Sequence, residues 1–266
     1  LNSKIRKIMS SLQESKFTEE IVLDVTRHTP KLLTFTISRP ETYRFSAGQF
    51  SRLGFRDGNG YIWRAYSIMS AEYSDILEYF AVLIPNGPMS AHFMQMKAGD
   101  TILLDKNATG FLLPERFIDG RELIMLCTGS GIAPFLSILE QPEVWQKFER
   151  LVLVHSVSYA EELIFRNRLD ELADHPLVGE YFAKFSFLPV LTREKNDGVL
   201  HKRLPELLTG GQLSEALGLP FTLEHTRFML CGNPDMVKDT FQALLNMGFS
   251  MHRNKNPGQI LMENGF

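Results

Sequence analysis

Glu122-Leu123-Ile124-Met125-Leu126-Cys127-Thr128-Gly129-Ser130-Gly131-Ile132-Ala133-Pro134 is the stretch that decides the fold. Its opening half is nearly continuous in apolar residues, the texture of a parallel strand buried on both faces. Thr128, Gly129, Ser130 and Gly131 then form a turn. Glycines at such a point let the backbone approach a pyrophosphate. Pro134 suits the first turn of a helix, where its missing N–H is not needed. The pattern departs from the G-x-G-x-x-G fingerprint, because proline stands where the third glycine would be. The bland alternative is a tight strand–helix turn with no ligand.

Downstream the alternation continues. The runs 151–155, 185–191 and 226–230 read as further strands, and 161–172 and 234–246 read as helices. Strands alternating with helices predict a doubly wound α/β sheet. Upstream the texture is β from Phe17 onward. Apolar or β-branched runs at 21–25, 32–37, 50–55, 62–68, 77–84 and 101–104 are broken by turn-forming residues such as His28-Thr29-Pro30, Arg39-Pro40 and Ala98-Gly99-Asp100. Close-spaced short strands of this kind predict a sandwich or a barrel. A helical patch covers 89–96. The expectation is therefore a two-domain chain. An extension over 1–16, with a short helix around 5–12, precedes an N-terminal antiparallel β-barrel over 17–114. A C-terminal α/β doubly wound parallel sheet occupies 115–266.

Several segments carry chemistry. Arg64-Ala65-Tyr66-Ser67 closes a strand. An arginine offers a planar fork of donors to a pyrophosphate, a tyrosine a flat face and a hydroxyl, and a serine a small donor and acceptor. The bland reading is a strand end with an exposed arginine. Ile84-Pro85-Asn86-Gly87-Pro88-Met89-Ser90 leads into a helix N-terminus, a natural phosphate seat, although Pro-Asn-Gly is good turn chemistry in any case. Leu230-Cys231-Gly232-Asn233-Pro234-Asp235-Met236 ends another strand at the carboxyl edge, where ligands of α/β folds collect. Cys231 there is either a soft neighbour of a ring or a small buried hydrophobe; Cys127 reads as the latter. Arg193, Lys202 and Arg203 follow a strand and could grip a 2′-phosphate or lie on a solvated face. The C-terminal Phe266 either frays with the chain end or stacks on a flat cofactor.

Taken together, these segments resemble the bacterial form of the ferredoxin/flavodoxin–NADP reductase family, within the plant-type superfamily, over about residues 17–266. The segments occur in that family's order. The resemblance implies that the barrel carries FAD and the α/β domain carries NADP(H). It matches Arg64, Tyr66 and Ser67, with Ala65 between them, to the flavin and its pyrophosphate. It puts Tyr79, Phe80 and Val82 along the flavin through their strand, and Gly87, Met89 and Ser90 at a second phosphate turn. Thr128, Gly129 and Gly131 match the nicotinamide nucleotide turn, and Cys231, Asn233 and Asp235 its partner turn. Thr192, Arg193 and Arg203 fall around the 2′-phosphate. Ser158 stands where bacterial relatives often have a phosphate-binding arginine, so one grip is missing unless Arg166 or Arg168 replaces it. Ser67, Cys231 and Glu263 are the candidates for tuning the encounter of the rings, which the family aligns within about 3–3.5 Å for hydride transfer. Phe266 is the candidate stacking residue.

The implied activity is hydride exchange between NADPH and FAD, coupled to one-electron transfer with ferredoxin or flavodoxin. Such carriers are usually acidic, so a basic patch near the flavin is expected, with Arg253 and Lys255 as contributors. The runner-up is an NAD(P)H-dependent flavin or oxygenase reductase of the same superfamily. A flavin-binding regulator without activity is weaker, because the second domain would then have no purpose.

Composition bounds the rest. With 266 residues, 44% hydrophobic and 22% charged, the chain is globular. A net charge of −3 argues against a globally basic nucleic-acid binder. No apolar run reaches the ~20 residues of a membrane span, and no signal peptide is evident. The two cysteines are neither a disulfide framework nor enough for an iron–sulfur cluster, and no metal site is expected. A cytoplasmic monomer is the expectation.

Overall fold

The computed structural model describes residues 16–58 and 60–264. The helix expected around 5–12 lies outside the described residues. Antiparallel strands β1 (Phe17–Arg27), β2 (Leu32–Ser38), β3 (Phe50–Asp57), β4 (Gly60–Ser67), β5 (Ile76–Val82) and β6 (Thr101–Asp105) pair in the order β4-β3-β6-β1-β2-β5. Alternation sets the inside of this curled sheet. Leu33, Phe35 and Ile37 of β2 and Leu77, Tyr79 and Ala81 of β5 are buried in one cluster. The outer strands meet at a single bridge, Ile68 to Tyr79, and the Met69 N–H donates to the Glu78 carbonyl at 2.8 Å. The sheet is thus a barrel drawn together at one seam rather than by a full ladder.

Helix α1 (Pro88–Gln95) plugs one end of the barrel. Its Phe93 ring meets Phe35, Phe55 and Tyr66 at centroid distances of 5.2, 5.5 and 5.4 Å. Arg27 on β1 donates to the Phe93 and Met94 carbonyls at 3.1 and 2.9 Å, satisfying acceptors at the end of α1.

The second sheet is wholly parallel. Strands β7 (Glu122–Thr128), β8 (Arg150–Val157), β9 (Phe185–Leu191), β10 (Thr226–Gly232) and β11 (Ile260–Asn264) run in the order β11-β10-β7-β8-β9. Successive side chains serve opposite faces. Leu123, Met125 and Cys127 pack with α2 (Ala133–Leu139) and with Trp145 of α3 (Pro142–Lys147), whereas Ile124 and Leu126 pack with α5 (Leu204–Thr209), α6 (Gln212–Leu217) and α7 (Pro234–Asn246). The first of these clusters also takes in Leu32, Ala47, Met69 and Phe80 from the barrel. Phe80 points out of the barrel where Tyr79 and Ala81 point in, so period-two alternation along β5 welds the two sheets together.

The elements differ from expectation in three ways. The helix read over 161–172 is a tight turn at Ala160–Glu162, a short α4 (Arg166–Asp170) and a second tight turn at Glu171–Asp174. Glu162 folds its carboxylate back onto the Ser158 N–H at 2.7 Å, and Leu163 leaves helical geometry at φ −80, ψ 47. The segment before the C-terminus, where fraying was one reading, forms the edge strand β11. Helices α3, α5 and α6 were not foreseen; each is a short run of six residues. No helix among the described residues is long and apolar enough to cross a membrane.

Candidate functional site

A cleft of about 530 Å³ opens between the barrel and the carboxyl edge of the parallel sheet. From the barrel come Phe50, Arg64, Tyr66, Ser67, Phe80 and Val82, with Ile84 and Gly87–Ser90 from the turn ahead of α1. From the sheet come Thr128–Gly131, Ala133, Cys231–Pro234, Glu263 and Asn264.

The barrel wall follows from pairing. In the β3–β4 hairpin Arg64 stands opposite Leu53 and Ser67 opposite Phe50, so Arg64 and Tyr66 fall on the same side of the strand. Arg64 is exposed and, among the described residues, donates only to the carbonyl of Trp63, at 2.8 Å. Burial raises the Tyr66 phenol well above its ordinary range, so it stays a neutral hydroxyl. The turn before α1 is closed by two hydrogen bonds. Gly87 N–H donates to the Ile84 carbonyl at 2.9 Å, and Ile84 N–H donates to Ser90 Oγ at 2.8 Å. Asn86 takes a left-handed φ of 59, which asparagine tolerates better than most residues. With Pro88 at the first position, the helix presents free N–H groups to the cleft.

The sheet wall is built from two crossing turns. The Asn233 N–H donates to Thr128 Oγ1 at 2.9 Å, and Asn233 Oδ1 caps α7 by accepting from Asp235 N at 2.9 Å. Contact here is too close for side chains. A Cβ on Gly131 would overlap the Cys231 carbonyl, and one on Gly232, whose φ is +136, would overlap Thr128. The two glycine turns therefore lock into each other.

His155 was missed by sequence reasoning. It lies opposite Cys127 in the β7–β8 ladder, and its Nε2 meets the Gly129 carbonyl at 3.0 Å. Burial lowers its pKa to about 4, so the ring is neutral and Nε2–H is the donor. No local pattern marks it, because its partner is 26 residues away in the chain.

Cys231 and Glu263 are opposite one another on β10 and β11. Burial, and then the nearby Glu263, hold the Cys231 thiol protonated. Burial also pushes the Glu263 carboxyl up to about 7, although the Phe111 backbone N–H favours its charged form. Glu263 Oε2 is buried without a hydrogen-bond partner among the described residues. Ser67 lines the same cleft, so all of the proposed tuning residues converge there.

Other expected residues stand elsewhere. Tyr79 turns its side chain into the barrel core, stacked on Phe35 at 5.4 Å and hydrogen-bonded to Ser51 at 2.6 Å, and it does not line the cleft. Ala65 and Asp235 do not line the cleft. Cys127 is a buried core residue whose Sγ meets the Val154 carbonyl at 3.5 Å. Ser158, Thr192 and Arg193 gather at the ends of β8 and β9, away from the cleft. Arg193 N–H donates to the Ser158 carbonyl at 3.0 Å and Thr192 Oγ1 to the Val157 carbonyl at 3.2 Å. Arg203 sits exposed at the start of α5. Arg168 does not replace a phosphate-binding arginine, because it pairs with Glu78 and Glu140. Phe266 lies outside the described residues.

A curled antiparallel sheet carrying one phosphate-type turn, joined at a cleft to a parallel sheet carrying another, defines a two-domain oxidoreductase of the plant-type reductase fold. The comparisons agree. Residues 125–242 match the model of the oxidoreductase NAD-binding domain. The ferredoxin–NADP reductase A of Sorangium cellulosum is 38% identical, covering 94% of this chain and 90% of the relative. The ferredoxin–NADP reductase of Azotobacter vinelandii is 34% identical, covering 95% of this chain and 98% of the relative. A solved structure of a ferredoxin NADP+ reductase from Neisseria gonorrhoeae with bound FAD and NADP superposes with a TM-score of 0.89 at 66% identity, covering 95% of this chain and 100% of that one. The chain belongs to the ferredoxin–NADP reductase family.

Proposed function

We propose that the cleft seats FAD on its barrel wall and the nicotinamide end of NADP(H) on its sheet wall. The chain is then an FAD-dependent ferredoxin/flavodoxin–NADP(+) reductase. One observation carries this reading: Arg64, Tyr66 and Ser67 share a single cleft with Thr128–Gly131 and Cys231–Asn233. The residues fit the two groups. The interlocked glycine turns leave bare backbone for a phosphate or ring to approach, and a buried carboxyl oxygen on Glu263 has no hydrogen-bond partner among the described residues. The N. gonorrhoeae relative, whose structure holds FAD and NADP, supports it.

When bound, FAD supplies acceptance of a hydride and release of single electrons. The chain supplies position and environment. Arg64 and the α1 N-terminus neutralise the FAD pyrophosphate, and Tyr66 and Ser67 face the flavin. Gly129 and Gly131 admit the nicotinamide nucleotide, while Cys231 presents a neutral thiol. Ser158, Thr192, Arg193 and Arg203 surround the 2′-phosphate. Glu263, protonated at about pH 7 and below, is the group able to hold a proton beside the rings. We take the chain to work as a cytoplasmic monomer whose acceptor is ferredoxin or flavodoxin; its two cysteines are free and buried.

The test is the absorption spectrum of the purified protein. A flavin spectrum that bleaches at much lower NADPH than NADH is expected. A protein without flavin, or a flavin that NADPH leaves oxidised, sinks the reading.

A further inference from the structure

Ser158, Tyr159 and Ala160 follow the end of β8 with successive backbone N–H groups. Such a run at a strand end is a natural seat for an anion. Here the chain's own carboxylates fill it. Glu162 Oε2 accepts from the Ser158 and Tyr159 N–H groups at 2.7 and 3.4 Å, and Glu194 Oε2 accepts from the Ala160 N–H at 2.7 Å. Glu162 belongs to the same turn, whereas Glu194 reaches across from the segment after β9. Neither acid forms an ion pair among the described residues. A phosphate arriving at this edge therefore meets side chains rather than these amides.

The side chains available to it stand on a loop fixed at its base. Thr192 and Arg193 donate their N–H groups to the Val157 and Ser158 carbonyls at 2.9 and 3.0 Å. On the other side of β9, the Leu191 N–H donates to the Leu200 carbonyl at 2.9 Å, and His201 Nδ1 meets the Leu191 carbonyl at 3.2 Å. Those bonds bring the exposed Lys202 and Arg203 to the same edge. The ladder between β8 and β9 ends at Val157 and Leu191. Beyond that rung, Glu194 ties the loop to the turn after β8, and its Oε1 accepts from Asn196 Nδ2 at 3.1 Å. A loop ordered before its ligand arrives loses less freedom on binding.

We propose that Glu194 is a positioning residue for coenzyme choice: it braces one strand-end turn against the other and so preorders Thr192 and Arg193 for a ribose 2′-phosphate. This rests on the proposed seat of the NADP(H) 2′-phosphate at this edge. Glu194 acts through its neighbours, and a coenzyme with a bare 2′-hydroxyl gains nothing from the brace. Ala160 is exposed, so its N–H turns to water when the carboxylate is removed, and stability changes little.

The test compares wild type with Glu194→Ala and Glu194→Gln by two readouts. One is calorimetric binding of adenosine 2′,5′-bisphosphate; the other is KM for NADPH and for NADH with ferricyanide as acceptor. In Glu194→Ala, affinity for the bisphosphate is expected to fall about fivefold and KM for NADPH to rise about as much, with kcat and KM for NADH unchanged. Glu194→Gln keeps a carbonyl for the Ala160 N–H and is expected to stay within about twofold of wild type. Bisphosphate binding equal to wild type in Glu194→Ala overturns the brace. So does a parallel rise in KM for NADH, which marks damage to the sheet edge, and so does a Glu194→Gln variant that binds as weakly as Glu194→Ala or more tightly than wild type. If neither coenzyme bleaches the wild-type flavin, the reductase reading fails, while the calorimetric comparison still decides the brace.

Discussion

Arg168 on α4 and Glu78 on β5 are joined at 2.6 Å, a bond that ties the parallel domain to the barrel. The other arm of the guanidinium reaches Glu140, beyond the end of α2, at 2.7 Å. Nearby, Ser137 Oγ donates to the Ser70 carbonyl at 2.7 Å across the same interface. The cleft exists because these contacts, with Phe80 and Met69, hold the two sheets at one spacing.

Arg168→Ala leaves two half-buried carboxylates facing each other without a cation. Breaking a fully buried pair costs about 3–5 kcal/mol, and the partial exposure here lowers the expectation to about 2 kcal/mol. Denaturant titration reads the loss. Glu78→Gln, which keeps an acceptor, is expected to cost less.

Glu263 carries a pH signature. Its carboxyl titrates at about 7 in the fold against 4.5 ordinarily, so the folded chain binds the extra proton between those values. Stability therefore falls as pH rises from about 4.5 to about 7 and is level above that. Glu263→Gln is expected to remove this slope. Thermal midpoints measured across that range check it, and an identical slope in the variant refutes the shifted carboxyl.

His155 holds the Gly129 turn by one neutral hydrogen bond. His155→Ala is expected to weaken NADPH binding by roughly fivefold, the value of about 1 kcal/mol. Binding of NADP+ by calorimetry is the measurement. A ring buried neutral also loses stability as pH falls from about 6.5 to about 4, so the variant is expected to be less acid-sensitive.

Gly131→Ala forces a methyl group onto the Cys231 carbonyl. The two turns then separate, with an expected stability cost of about 1–3 kcal/mol and a loss of NADPH affinity larger than in His155→Ala. A folded variant with unchanged KM for NADPH contradicts the interlocked turns.

Arg203→Ala is expected to raise KM for NADPH more than for NADH, and Arg193→Ala to do the same. Both side chains are exposed and unpaired among the described residues, so stability should stay within about 0.5 kcal/mol. Equal effects on the two coenzymes remove these residues from the 2′-phosphate.

Much of the fold was legible because its signals are local. The apolar run 123–127 with its glycine turn announces a buried parallel strand, and α7 announces itself through Asn233-Pro234. The expected helix over 161–172 failed because its apolar spacing competes with a side chain: Glu162 satisfies the Ser158 amide and so ends a turn instead of extending a helix. β11 was hidden because an edge strand of five residues is stabilised by its ladder to β10, not by its own pattern. Of the site, the turns were readable as motifs. His155 was not, since its role depends on a neighbour 26 residues away.

Sequence alone determined the two textures, the order of the phosphate-type turns and hence the family, because propensity, turn chemistry and apolar period act over a few residues. Tertiary structure decided which side chains meet. It turned Tyr79 inward and Phe80 outward, took Arg168 from the phosphate and gave it to Glu78, and set Cys231 against Glu263. Burial then moved the Glu263 carboxyl to about 7, a property of the surroundings that no string of residues contains.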